Sequence, residues 1–251
     1  MVKGGGSRGR PRKSGRDTAL RRTGKSAPKS ASARTAHTAK GKKSSVEATP
    51  EVEMPPRFTL GVIPGATPGK WIDAWNARMP RTSLDLVQLS AAEQHHALMR
   101  GEVDAAIVRL PINKDGLHVI ELYSEEPVVV ASIDSHLTAA ETLMLADLTD
   151  EVVIVAEDDV LNLAVPGAVS PSFTAPADAE EAIKIVAAGV GIIIVPMSIA
   201  RAHRRKDTAY RVLSDGPVSP VGIAWIADST NPAIDVFIGI VRGRTAHSSR
   251  S

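Results

Sequence analysis

The sequence predicts an α/β fold, and three observations predict it. From Arg57 onward, apolar runs of strand length alternate with segments of helical periodicity. Gly, Pro and Ser punctuate their boundaries. Acids are also concentrated in this part of the chain, whereas the first fifty residues are basic and nearly free of large apolar side chains.

Phe58-Thr59-Leu60-Gly61-Val62-Ile63 reads as the first strand, ended by Pro64-Gly65. Thr67-Pro68 offers an N-cap and a first-turn proline, opening a helix with Trp71, Trp75 and Met79 at helical spacing. Leu84 to Leu89 is a second strand, Ala92 to Arg100 a short helix with Leu98 and Met99 facing inward, and Val103 to Val108 a third strand. This alternation predicts a parallel sheet. Leu117 to Tyr123, Pro127 to Ser132 and Val152 to Ala156 are further extended segments. Asp158 to Pro176 holds Pro166, Gly167, Pro171 and Pro176 and reads as loop. Asp178 caps a helix running through Ala182, Ile183 and Val186 to Gly189, and Gly191 to Val195 is a buried strand. Arg211 to Leu213 and Val221 to Ala227 are strands, and Pro232 to Arg242 is a terminal helix.

Charge divides the chain more sharply than its overall balance of +2 conveys. Residues 1–50 hold 14 Lys and Arg against 2 acids, a net of +12, and the remaining residues hold 16 against 26, a net of −10. A basic arm on an acidic body is the pattern of a nucleic-acid-binding tail. Because the phosphate backbone repels an acidic body, the tail and not the body is expected to read DNA. Rich in Gly, Ser, Ala, Thr and Lys, residues 1–56 bury too little surface to offset their ordering entropy and are expected to be disordered, as are residues 244–251.

Within the tail, Arg8-Gly9-Arg10-Pro11-Arg12-Lys13 resembles an AT-hook. Glycine lets the backbone lie on the groove floor and proline holds it extended, so two arginines can enter the narrow, electronegative minor groove of A+T-rich DNA. The alternative reading is a generic polyanion-binding or solubilising segment. No apolar h-region marks a secretory signal, while an organelle transit peptide stays open as a further alternative. The absence of cysteine fits a reducing cytoplasm, and no apolar run approaches the ~20 residues that span a bilayer. A cytoplasmic, nucleoid-associated protein is therefore expected.

Four blocks, in order, carry a second resemblance. Gly101-Glu102-Val103-Asp104-Ala105-Ala106-Ile107-Val108-Arg109 resembles the G-x-x-D-h-A-h signature of the effector-binding domain of LysR-type transcriptional regulators. Glu181 to Pro196, with Val186-Ala187-Ala188-Gly189-Val190-Gly191-Ile192, resembles that family's V-A-A-G-h-G-I block. Phe58 to Pro64 fits its opening strand, and Leu122 to Val130 its segment between subdomains.

The resemblance implies a periplasmic-binding-protein-like (type 2) fold of two α/β subdomains. The first is expected at about 57–130 and 222–243, the second at about 131–221, with a small-molecule cleft between them. It also implies ligand positions at Gly65, Ala66 and Thr67, at Arg109, Leu110 and Pro111, and at Asp178 and Gly189, as well as side-by-side homodimers. The family's winged helix-turn-helix and linker helix are expected to be missing, replaced by the basic tail. The stretch Asp158 to Pro176 is short for the family and lacks its wall helix, which implies a shallow cleft.

Several residues admit two readings. Thr67 offers its hydroxyl and amide to a ligand carboxylate, or merely caps a helix. Arg109 binds an anion, or pairs with Asp115 or Glu126 on the surface. His95-His96 lack a third ligand at useful spacing and point apart on a helix, so exposed side chains are expected and not a metal site. No cofactor and no enzymatic activity are expected: phosphate loop and cysteine are both missing, and Glu157-Asp158-Asp159 reads as a solvated loop. Two functions remain. One is a DNA-associated regulator with a LysR-like sensing body; the other is a stand-alone ligand-binding or protein-interaction module with a non-specific tail.

Overall fold

A computed structural model describes residues 53–243. The hook residues Arg8 to Lys13, the rest of the basic segment and residues 244–251 lie outside the described residues. In chain order the elements are β1 (Arg57–Val62), α1 (Gly69–Arg78), β2 (Ser83–Gln88), α2 (Gln94–Met99), β3 (Ala105–Arg109), β4 (Leu117–Glu125) and β5 (Pro127–Ser132). They continue as β6 (Thr142–Leu143), β7 (Val153–Ile154), α3 (Ala179–Ala187), β8 (Ile192–Pro196), α4 (Met197–Ala202), β9 (Thr208–Leu213), β10 (Ser219–Ile226) and α5 (Pro232–Val241).

The strands form two five-stranded sheets, ordered β2-β1-β3-β10-β4 and β6-β9-β5-β8-β7. Both are mixed, which corrects the expectation of a parallel sheet. β1 runs parallel to β2 and β3, but β10 runs antiparallel to β3 and β4. The cause is topological: β4 leaves the first sheet at Glu125 and β10 re-enters it at Ser219, directly opposite, so the two must run in opposite directions. β5 follows after a single residue and pairs with β8 and β9, so the chain has entered the second sheet at Pro127 rather than near residue 130.

Each sheet is covered on both faces, which is why its central strands are apolar throughout. On one face of the first sheet Phe58 stacks on Trp75 at 4.8 Å and meets Phe237 at 5.1 Å, locking α1 and α5 onto β1. The Trp75 indole donates to the Thr82 carbonyl at 3.0 Å, so its polar end is satisfied within the core. Ala97 and Leu98 of α2 cover the opposite face with Leu89 and Val108. Met99 faces outward at 46% exposure, contrary to its expected inward direction, because Gln94, Ala97 and Leu98 form the buried face of α2 and the next residue is turned away from it. In the second sheet, Ala182, Ile183 and Val186 of α3 pack on one face with Ile199 of α4. The other face is covered by Leu137, Leu143 and Leu148 together with Leu161, Leu163 and Val165 from the Pro-rich loop. That loop contains no helix, as its prolines predict.

The family-like signature residues have local structural work. Gly101 (φ +67°) terminates α2, donating to the Leu98 carbonyl while Glu102 N–H reaches that of Ala97. Asp104 accepts from Thr59 N–H at 2.7 Å and from Asn231 Nδ2 at 2.8 Å, and Asn231 in turn caps α5. One carboxylate thereby ties β1 to the terminal helix. Gly189 (φ +81°) ends α3, its N–H bonded to the Val186 carbonyl.

Candidate functional site

Strand direction brings one set of chain segments to the junction of the two sheets. β1 and β3 both end at the edge where β4 ends and β10 begins, the register setting Arg109 opposite Val221 and Glu125 opposite Ser219. In the second sheet β8 ends at Pro196 opposite Pro127, and α4 starts immediately afterwards, with Met197 N–H bonded to the Glu126 carbonyl at 3.0 Å. A cleft of about 750 Å³ opens there between Gly65 and Thr67 on one side and Met197, Ser198 and Arg201 on the other, with Tyr123 to Glu126 lining it as well. Its size lies within the range of small-molecule pockets. A second hollow of about 510 Å³ adjoins it at the start of α1, sharing Thr67 and Tyr123.

Thr67 does not cap α1. The N-cap position belongs to Pro68, whose carbonyl takes the amides of both Trp71 and Ile72, so Thr67 lies one residue too early to bond into the first turn. Its exposed hydroxyl makes no hydrogen bond among the described residues. The first turn of α1 carries no acidic side chain that would neutralise the helix's positive end.

Arg109 is not a surface residue, and its expected pairing with Asp115 or Glu126 does not occur. It is 4% exposed, and its Nη1 donates to Ser219 Oγ at 2.7 Å and to Glu125 Oε2 at 3.4 Å. Gln94 fixes its backbone on both sides, donating from Nε2 to the Arg109 carbonyl at 2.8 Å and accepting the Arg109 amide at 2.9 Å. Its Nη2 is buried with no hydrogen-bond partner among the described residues. Glu125, 8% exposed, also accepts from Ser198 Oγ at 2.6 Å. Gly65 (φ +83°) makes this approach possible, because a Cβ there would lie 2.4 Å from Ser198 Oγ. Burial and the Glu125 charge push the Tyr123 hydroxyl above its usual range, with Arg109 acting in opposition, so it stays protonated and available as a donor at neutral pH.

Of the sequence-derived ligand positions, Gly65 and Thr67 line the cleft, Ala66 lines the adjoining hollow and Arg109 lies behind Glu125. Leu110 packs towards the α2 face with its N–H on the Pro220 carbonyl, Pro111 follows through a cis peptide, and neither lines the cleft. Asp178 caps α3 by accepting from Glu181 N–H at 2.8 Å, and like Gly189 it lies away from the cleft. His96 is exposed, but His95 is half-buried and its Nε2 has no hydrogen-bond partner among the described residues, a correction to the expectation of two exposed rings. Tyr123, Glu125, Ser198 and Arg201 also line the cleft, and sequence reasoning misses them. The signal that could have found Tyr123 and Glu125 is the single-residue crossover at Glu126.

Residues 54–246 match the LysR substrate binding domain profile. The chain belongs to that family. Among curated LysR-type relatives it is 25% identical over 203 residues to the Hca operon transcriptional activator HcaR of Escherichia coli, covering 76% of this chain and 68% of that protein. It is 29% identical over 177 residues to the transcriptional regulator AlsR of Bacillus subtilis, covering 66% of this chain and 58% of that one. The match thus spans only 68% and 58% of these relatives' lengths. The BenM effector binding domain, solved with its effector benzoate, superposes with a TM-score of 0.65 at 21% identity, over 76% of this chain and 92% of that one. That likeness establishes the two-sheet LysR effector-domain fold.

Proposed function

We propose that this chain is an effector-responsive transcription regulator. The LysR-type body takes up a small organic carboxylate between its two sheets, and the basic segment, through Arg8-Gly9-Arg10-Pro11-Arg12-Lys13, holds the protein on A+T-rich DNA in the cytoplasm. The observation that carries the ligand reading is the Thr67 hydroxyl, uncommitted at the positive end of α1 and lining one cleft with the Arg201 guanidinium. A carboxylate is the group that a hydroxyl donor, an unneutralised helix start and a cation jointly suit. Glu125, lining the same cleft, disfavours a second anionic group beside it and favours a donor such as a ligand hydroxyl. BenM, which shares the fold, takes benzoate. In this reading the basic segment before residue 53 forms the DNA-binding arm and the remainder the sensing body, a homodimer of which brings two weak hooks together for avidity.

The ligand is tested by calorimetric titration of the full-length protein with a panel of monocarboxylates that includes benzoate. Saturable binding weakened about tenfold by Thr67→Ala, equivalent to about 1.4 kcal/mol, is the expected result. Saturable binding by no carboxylate, or binding indifferent to Thr67, overturns it. The DNA reading is tested by anisotropy on A+T-rich and G+C-rich duplexes. A preference for the former that Arg10→Ala removes supports the hook; equal affinity for both leaves a non-specific tail on a ligand-binding module.

A further inference from the structure

The acidic body carries a basic groove on a face of its second sheet. Five of the fourteen Lys and Arg between residues 53 and 243 fall within the eleven positions 201–211: Arg201, Arg204, Arg205, Lys206 and Arg211. All five line one open groove of about 1070 Å³, lined as well by Val130 of β5, Ile133 just after it and Tyr210 of β9. We propose that this groove is a second DNA contact, seating the phosphate backbone of a duplex without reading its sequence.

The cations are not explained by local structure alone. Only Arg201 lies within α4, where a cation offsets the helix's negative end. Arg204 to Lys206 follow the helix, and Arg211 joins them from β9. Arg205 is neutralised by a bidentate pair with Asp207, both bonds at 2.8 Å. The Arg211 guanidinium is held by the carbonyls of Thr138, Ala140 and Tyr210, which fix its position and leave its charge intact. Arg204 and Lys206 are exposed and have no carboxylate within 4.0 Å among the described residues. With Asp207 counted, the groove is net +4, on a stretch of chain whose residues 53–243 hold 14 cations against 25 acids.

A nucleic-acid backbone fits this surface better than an acidic peptide. Cations from α4, the turn after it and β9 over an open trough suit a regular row of phosphates, and the groove offers no deep apolar pocket to anchor a peptide side chain. The acidity of the remaining body orients the contact, since phosphates are repelled elsewhere and drawn to this face. The inference rests on the proposed tail–DNA contact, which places a duplex beside the body.

The experiment uses the full-length protein and two variants, Arg204→Glu/Lys206→Glu and Arg8→Ala/Arg10→Ala, titrated against A+T-rich and G+C-rich duplexes over a range of salt. Arg201 is left intact because it also lines the ligand cleft. Each lost phosphate contact lowers the slope of log K against log salt by about 0.9. The groove variant is therefore expected to lose about two units of slope and at least tenfold in affinity on both duplexes, with the A+T preference preserved. The tail variant is expected to lose the preference. An unchanged slope in the groove variant, with circular dichroism confirming its fold, overturns the groove. If wild type shows no A+T preference yet binds in a groove-dependent way, the hook fails and the groove stands; if wild type binds neither duplex, both fail.

Discussion

Ser198 Oγ donates a 2.6 Å hydrogen bond to Glu125 Oε2 across the junction of the two sheets, onto a carboxylate that the buried Arg109 also contacts. Ser198 belongs to α4 of the second sheet, whereas Glu125 and Arg109 end strands of the first. The bond therefore couples the sheets at the edge of the cleft. Removing its central member leaves the Arg109 guanidinium buried and unpaired, a loss of about 3–5 kcal/mol. Glu125→Ala is expected to lower Tm by roughly 10 °C or more in thermal unfolding followed by circular dichroism. Ser198→Ala, which removes one donor and leaves the ion pair, should cost about 1–2 kcal/mol. A Glu125→Ala variant as stable as Ser198→Ala would contradict the bridging role.

Asp104 makes a comparable link inside the first sheet, and it stands in the signature that gave the chain its family resemblance. Both its oxygens are engaged, one by Thr59 N–H and one by Asn231 Nδ2. Asp104→Ala leaves the Thr59 amide without its acceptor and loosens the cap of α5, so a loss of about 2–3 kcal/mol is expected in urea unfolding. Asp104→Asn keeps one acceptor and should cost less. Ligand affinity at the cleft should be unchanged in both, since Asp104 does not line it.

The two glycines of the second signature differ in what surrounds them. Both have positive φ, +81° at Gly189 and +77° at Gly191. A Cβ at Gly189 meets nothing within 4 Å, whereas one at Gly191 would lie 2.2 Å from the Val152 carbonyl oxygen. Gly189→Ala is therefore expected to cost about 1 kcal/mol of backbone strain. Gly191→Ala should cost distinctly more, because β7 must shift away from β8. Equal unfolding midpoints for the two variants would count against the close approach.

These residues show what the sequence could reveal. Hydrophobic periodicity exposed the strands and helices, since a strand covered on both faces, such as Ile192–Pro196, reads as a continuous apolar run. Asp178 was legible as a cap because capping is local, fixed within three residues by the Glu181 amide. Arg109 was not, because whether a strand-end cation is buried depends on β4 and β10 arriving beside it, and the register of Ser219 on Glu125 spans 94 positions. The mixed direction of the sheets was hidden for the same reason: periodicity reports which face is apolar and carries no strand polarity. Ser198 and Arg201 enter the cleft from a helix too short to leave a periodic signal.

Asp158 sits at the start of the Pro-rich loop, and its carboxyl is pushed above the usual aspartate range, first by burial and then by the negative charge of Asp178. A folded-state value above the unfolded one means that the folded chain holds the proton more tightly. The stability this proton confers is present below the ordinary aspartate value of about 3.9 and is lost as pH rises through the raised value, so at neutral pH the ionised group is a liability. Asp158→Asn removes the charge and retains an oxygen able to accept from the Ala179 amide, the larger of the two backbone bonds that favour the carboxylate. The variant is expected to melt higher than wild type at pH 7, by no more than about 3 °C because the side chain is partly exposed, and the gain should vanish as pH falls towards 4. Asp178→Asn, which preserves the α3 cap, should yield a smaller gain with the same pH dependence, since it removes the second cause and leaves the burial. A stabilisation by Asp158→Asn that is equal at pH 7 and pH 4 would assign the effect to packing and not to the carboxylate's charge.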